Sequence, residues 1–140
     1  MTALNTCSHL LKVLNSELIS IVDDDESIRD ATKTLLRSAG YEVRTFASAE
    51  EFLNSGALQA TDCLILDVRM PGMSGLELQE LLNTEASRIP IIFVTAHDDQ
   101  ANRRKAIDSG ATDFFRKPFS GDVLLGAIQI ATSGRRRVGA

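Results

Sequence analysis

Cysteine is scarce in this chain of 140 residues: there are two, Cys7 and Cys63. Neither has a second ligand at metal spacing, so a disulfide framework and a structural zinc site are both excluded as expectations. Cys63 opens the apolar run Cys63-Leu64-Ile65-Leu66, where it reads as a small buried hydrophobe, and a reducing compartment follows. Positive charge is not in surplus either. The net charge of -4 argues against a surface built mainly to bind nucleic acid. No apolar run approaches the length of a membrane span, and Lys12 interrupts the leucines near the start, so neither a membrane helix nor a signal peptide is expected. The expected location is cytoplasmic. Low-complexity segments and internal repeats are missing, and one domain of ordinary size is the natural reading.

What is present is an alternation. Residues 1–17 look like an N-terminal extension, with Leu10, Leu11, Leu14 and Leu18 spaced for a short amphipathic helix that docks loosely at most. From Leu18 the pattern becomes regular. Leu18–Val22 is a short apolar strand of the kind covered on both faces. Ile28, Ala31, Thr32, Leu35, Leu36 and Ala39 then form a helical stripe that Gly40 ends. Tyr41–Phe46 alternates and carries Glu42 and Arg44, which suits an edge strand. Ser48 and Glu51 have capping-box spacing, with Phe52 and Leu53 facing inward from the helix they open.

Strands at 63–66, 91–94 and 113–116 then alternate with helices at 76–83 and 100–109. A last helix after Ser120 turns Val123, Leu124, Ala127, Ile128 and Ala131 inward. Five strands alternating with five helices predict an α/β fold: a doubly wound, flavodoxin-like parallel sheet, order 2-1-3-4-5, helices on both faces. The domain is expected over 18–132. Residues 133–140, with Arg135-Arg136-Arg137, read as a basic C-terminal tail, too short for a helix-turn-helix.

In such a sheet, ligands bind beyond the carboxyl ends of the strands. Asp23, Asp24 and Asp25 follow the first strand, Asp67 the third, Thr95 the fourth, and Lys117-Pro118 the fifth. Two like charges ~4 Å apart near a protein surface repel by about 4 kcal/mol, a cost that a hard divalent cation relieves. Oxygen ligands of this kind suit Mg²⁺. Lys117 adds a positive charge and Thr95 a hydroxyl donor for a phosphoryl oxygen. Asp67 then has the chemistry of a nucleophile that forms an aspartyl-phosphate.

Four blocks, Ile21-Val22-Asp23-Asp24, Leu66-Asp67-Val68-Arg69-Met70-Pro71-Gly72-Met73-Ser74-Gly75, Val94-Thr95-Ala96 and Phe115-Arg116-Lys117-Pro118-Phe119, occur in order at strand ends. Together they resemble the signature of the two-component response-regulator receiver domain over Leu18 to Thr132. The resemblance implies that Asp67 is the phosphoacceptor, charged by the phosphohistidine of a sensor histidine kinase. It implies Mg²⁺ held by Asp24 directly, by Asp23 often through water, by Asp67, and by the backbone carbonyl of Arg69. Thr95 and Lys117 match the residues that receive the phosphoryl group, and Phe114 the switch aromatic that turns inward. Pro118 follows a peptide bond that is typically cis. His97 occupies a variable position near the phosphoryl group, where it is a candidate modulator of phosphoryl lifetime.

By the same resemblance the chain is a signalling domain rather than an enzyme, assisting only its own phosphotransfer and dephosphorylation. Its surface around the fourth helix and fifth strand meets an output protein, and phosphorylation-dependent homodimerisation through the fourth and fifth helices is a further expectation. The blocks are similar to those of receivers that precede a LuxR-type DNA-binding domain. With no such domain expected here, no direct DNA or membrane contact is expected. Two rivals are weaker. Asp23-Asp24-Asp25-Glu26-Ser27 resembles the Asp-x-Asp motif of haloacid-dehalogenase-type phosphatases, but the late acidic pair of that class has only Asp98-Asp99 as a candidate, which follows Thr95 with no lysine between. A phosphorylation-independent interaction module on the same fold is the other rival, against which stands the retention of every site residue type.

Overall fold

The computed structural model of the chain describes residues 17–96 and 100–139, with side chains as far as Ser133. Its five strands are β1 (Leu18–Val22), β2 (Glu42–Phe46), β3 (Cys63–Asp67), β4 (Ile91–Thr95) and β5 (Asp113–Arg116). All four pairings are parallel, in the order β2-β1-β3-β4-β5. The helices are α1 (Glu26–Ser38), α2 (Ala49–Ser55), α3 (Gly75–Thr84), α4 (Gln100–Asp108) and α5 (Gly121–Gly139). A 3-10 turn at Ala57–Ala60, which no apolar pattern announces, follows α2. The expected doubly wound sheet is therefore the architecture found.

The period of two along each strand divides the core into two layers. Leu64, Leu66, Val22 and Phe93 point to one face, where Phe52 of α2, Leu78 and Leu82 of α3 and Ala106 of α4 cover them. Cys63, Ile65, Ile19, Ile21 and Ile92 point to the other, under Leu36 of α1 and Leu124 and Ile128 of α5. Strands buried on both faces explain the unbroken apolar runs of β1, β3 and β4.

The helix ends follow local chemistry. The Asp25 carboxylate accepts from the amides of Ser27 and Ile28 and caps α1. Gly40, at φ 96°, takes the left-handed turn after it. Ser48 caps α2 through the Glu51 amide. The reciprocal capping box sits instead at α3, where Ser74 and Glu77 bond each other's amides.

One expectation needs correction. Val123 is 50% exposed, because α5 presents its Leu124, Ala127, Ile128 and Ala131 stripe to the sheet and Val123 falls outside it. The helix α5 itself runs on to Gly139, into the residues expected as a basic tail. Arginine is a good helix former and no proline follows Pro118, which lets the helix continue past Thr132 in spite of Gly134. The extension over residues 1–16, with Cys7 and the leucines before Leu18, lies outside the described residues.

Candidate functional site at the carboxyl edge of the sheet

Strand register brings the site together. Val22 of β1 pairs with Leu66 of β3, so Asp23 lies beside Asp67. Asp67 pairs with Val94 of β4, and Thr95 pairs with Arg116 of β5. The Lys117 amide donates to the Thr95 carbonyl at 2.7 Å, which ties the ends of β4 and β5 to each other. Thr95 is buried as the last residue of its strand. Four sequence-distant strand ends thus form one mouth.

Carboxylate oxygens of Asp23, Asp24 and Asp67 all lie within 4.8 Å of one another. The three are not equivalent. Asp23 is 1% exposed and fully engaged: its Oδ1 accepts from the Asp25 amide at 2.9 Å and its Oδ2 from Lys117 Nζ at 2.7 Å. Its carbonyl accepts from Arg29 at 2.7 Å, and its amide donates to Phe46. Asp24 is exposed. Asp67 is 7% exposed, with Lys117 Nζ 3.8 Å from its Oδ2.

The Asp67 pKa is raised from an ordinary 3.8 to about 7, by burial first and by the negative Asp23 next. Lys117 pulls the other way, Asp24 adds to the rise, and the Val68 amide lowers it by hydrogen bonding the carboxylate. Three carboxylates against one lysine leave the mouth short of positive charge. The donor set is all hard oxygen, so these residues fit a small divalent cation of the Mg²⁺ type.

Arg29 is a member of the mouth that the sequence motifs do not reveal. Its position three residues into α1 carries no signal of its reach back to Asp23. Asp25, by contrast, belongs to the helix cap and stands outside the acidic cluster among the described residues. That removes the second acid of the dehalogenase-type motif, since the Asp25 carboxylate is aimed at its own helix.

Phe114 is already turned inward, 4% exposed. Its ring stacks near Phe93 at 5.9 Å between centroids, and the Arg103 guanidinium covers it at 5.8 Å. This is the inward pose that the resemblance gives to the switch aromatic, and a phenyl ring has no hydroxyl to draw it to water. Arg103 is accordingly more than a solvated charge of the 103–105 run. The Lys117–Pro118 peptide bond is cis. Met70 packs in the core and Met73 packs against it. Arg69 is exposed, two residues beyond Asp67. His97, Asp98 and Asp99 lie outside the described residues.

Comparison with known proteins agrees with this geometry. The family model described as "Response regulator receiver domain" matches residues 19–129. The response regulator TmoT of Ectopseudomonas mendocina is 51% identical over 114 residues, which is 81% of this chain and 52% of that protein. The transcriptional regulatory protein FixJ of Azorhizobium caulinodans is 38% identical over 117 residues, 84% of this chain and 55% of that one. Among solved structures, the response regulator StyR superposes with a TM-score of 0.80 at 44% identity, covering 88% of this chain and 64% of its own. FixJ-N gives 0.77 at 36% identity, covering 85% and 95%. The chain belongs to the response regulator receiver domain family, the signalling domain of two-component systems. It spans about half the length of the curated relatives it matches. No helix among the described residues is long and apolar enough to cross a membrane.

Proposed function

We propose that Asp67 is the phosphoacceptor of a two-component phosphorelay, charged by a sensor histidine kinase in a Mg²⁺-dependent reaction. The observation that carries this reading is the convergence of three carboxylates with Lys117 at one strand-end mouth. An Asp67 oxygen attacks the phosphorus of the donor phosphohistidine; the P–N bond breaks and the imidazole leaves. Phosphoryl transfer asks mainly for positioning and charge neutralisation, and the mouth is built for both.

Asp24 and Asp67 would hold Mg²⁺ directly, with the Arg69 carbonyl, while Asp23 acts through water because both its oxygens already have partners. When bound, the cation neutralises the phosphoryl oxygens as they approach the anionic mouth. Lys117 stands 3.8 Å from Asp67 and exchanges part of its hold on Asp23 for a phosphoryl oxygen. The buried Thr95 supplies a hydroxyl to another. The chain acts on itself, assisting its own charging and hydrolysis, and turns over no separate substrate. His97 remains a candidate modulator of that hydrolysis.

The output we propose is a change at the α4–β5–α5 face that alters docking of another protein or a second copy. Its two-state element is Thr95 with α4, whose Arg103 already covers Phe114. Some relatives are named transcriptional regulators, and for this chain the surface in question is a protein-binding one in the cytoplasm.

Acetyl phosphate with Mg²⁺ tests the chemistry. Mass spectrometry should show one phosphoryl adduct on the wild type, none on Asp67→Ala, and a trace on Asp23→Ala. An adduct that survives Asp67→Ala and vanishes in Asp23→Ala overturns the assignment. Phosphotransfer profiling against the histidine kinases of the source organism then identifies the donor.

A further inference from the structure

The loop between β3 and α3, residues 68–74, carries Arg69 and leaves directly from Asp67, whose carboxylate the Val68 amide hydrogen-bonds. Its base is fixed by its own chain: the Gly75 amide donates to the Val68 carbonyl at 2.9 Å. Met70 anchors its first half in the core. Its far end opens α3 through the Ser74–Glu77 box. Between these pins lies the Pro71-Gly72-Met73 stretch, which turns at Gly72 with φ 79°.

That stretch is held from another element. Glu50, in the first turn of α2, reaches across so that its Oε2 accepts from the Met73 amide at 2.9 Å. The same carboxylate lies so near Gly72 that a Cβ there would stand 2.8 Å from Oε2. Gly72 therefore serves twice, by its left-handed backbone and by leaving room for the carboxylate. The neighbouring Glu51 has no such reach: its amide, not its side chain, meets the Ser48 cap.

We infer that Glu50 is a positioning residue for the phosphorylation site, bracing the β3–α3 loop so that the Arg69 backbone is already in place when Mg²⁺ arrives. The inference rests on the proposed Mg²⁺-dependent phosphorylation of Asp67. Glu50 touches neither the cation nor the phosphoryl group; it acts through the Met73 amide. A backbone hydrogen bond to a carboxylate stabilises one loop conformation, and losing it leaves the ligand-bearing segment to be ordered at the moment of binding.

The test is the Mg²⁺ dependence of acetyl phosphate uptake in the wild type and in Glu50→Ala, Glu50→Gln and Glu51→Ala. Glu50→Ala should raise the half-saturating Mg²⁺ concentration about fivefold, the equivalent of one ordinary hydrogen bond, while the rate at saturating Mg²⁺ stays within twofold. Glu50→Gln keeps an acceptor oxygen and should restore most of the affinity. Glu51→Ala removes the same charge from the same helix turn and should behave as wild type. Equal Mg²⁺ dependence of Glu50→Ala and wild type overturns the inference. So does loss in Glu51→Ala, or a Glu50→Gln as weak as Glu50→Ala, because either would assign the effect to charge alone. A wild type that takes up no phosphoryl group sinks the underlying function instead, and is recognised before any Glu50 variant is compared.

Discussion

Asp67 is a buried acid placed where burial is costly. With its pKa raised to about 7 by burial and by Asp23, the folded protein binds this proton more tightly than the unfolded chain does. The contribution to stability is whole below the unfolded value near 3.8 and is lost as pH rises through about 7. In EDTA, the melting temperature of the wild type should therefore fall from pH 4 to pH 8 relative to that of Asp67→Asn, which has no proton to lose there. Parallel thermal melts across this range check it; curves of identical slope would refute the shifted carboxyl. The same residue predicts a gain from the cation. Saturating Mg²⁺ should raise the wild-type melting temperature at pH 8, since a ligand at 100 times its Kd stabilises by about 2.7 kcal/mol. Asp24→Ala should lose most of that rise.

At the scale of the element, α3 starts under tight constraint. A Cβ at Gly75 would overlap the backbone carbonyl of Asp67, which has no flexible end to move aside. Gly75→Ala should cost about 2–3 kcal/mol in urea unfolding, at the upper end of overpacking penalties, and should weaken phosphorylation as well. Ser74→Ala, which removes only the cap, should cost about 1 kcal/mol.

These elements also show what a sequence can reveal. Strands with continuous apolar runs and strand ends carrying Asp, Asp, Thr and Lys were legible, because burial on both faces and the crowding of like charges leave a pattern in residue type alone. The capping box was legible only as a spacing. Ser48 and Ser74 both have glutamate three residues on, and the closed box forms at Ser74, where the sequence reading had not placed it. Arg29 and Glu50 were illegible for a different reason. Each is a charged residue on a helix that reaches a backbone group of a distant or preceding segment, and nothing in its own neighbourhood marks the target. The inward pose of Phe114 depends on Phe93 and Arg103, which only the fold brings to it.

At the scale of the molecule, the large apolar side chains that remain exposed among the described residues are Ile107 on α4 and Val123 and Ile130 on α5. Val123 and Ile130 are seven residues apart and share one side of the helix. Ile130 is 74% exposed, so a charge there should leave the fold intact. If the phosphorylated protein pairs through this face, Ile130→Glu should keep beryllofluoride-treated protein monomeric in light scattering while its melting temperature is unchanged. Dimers of equal stability in the variant would move the contact elsewhere.

Phe114 sets the contrast between silence and signal. If the ring keeps this seat on phosphorylation, it contributes nothing to the free-energy difference between the two states, and Thr95 and α4 would supply the bias. The ratio of stimulated to resting output would then be compressed, with some background built in. Phe114→Tyr, whose hydroxyl needs a partner that a phenyl pocket does not offer, should lower the resting association more than the stimulated one. A receiver with its aromatic ring already home would trade dynamic range for readiness.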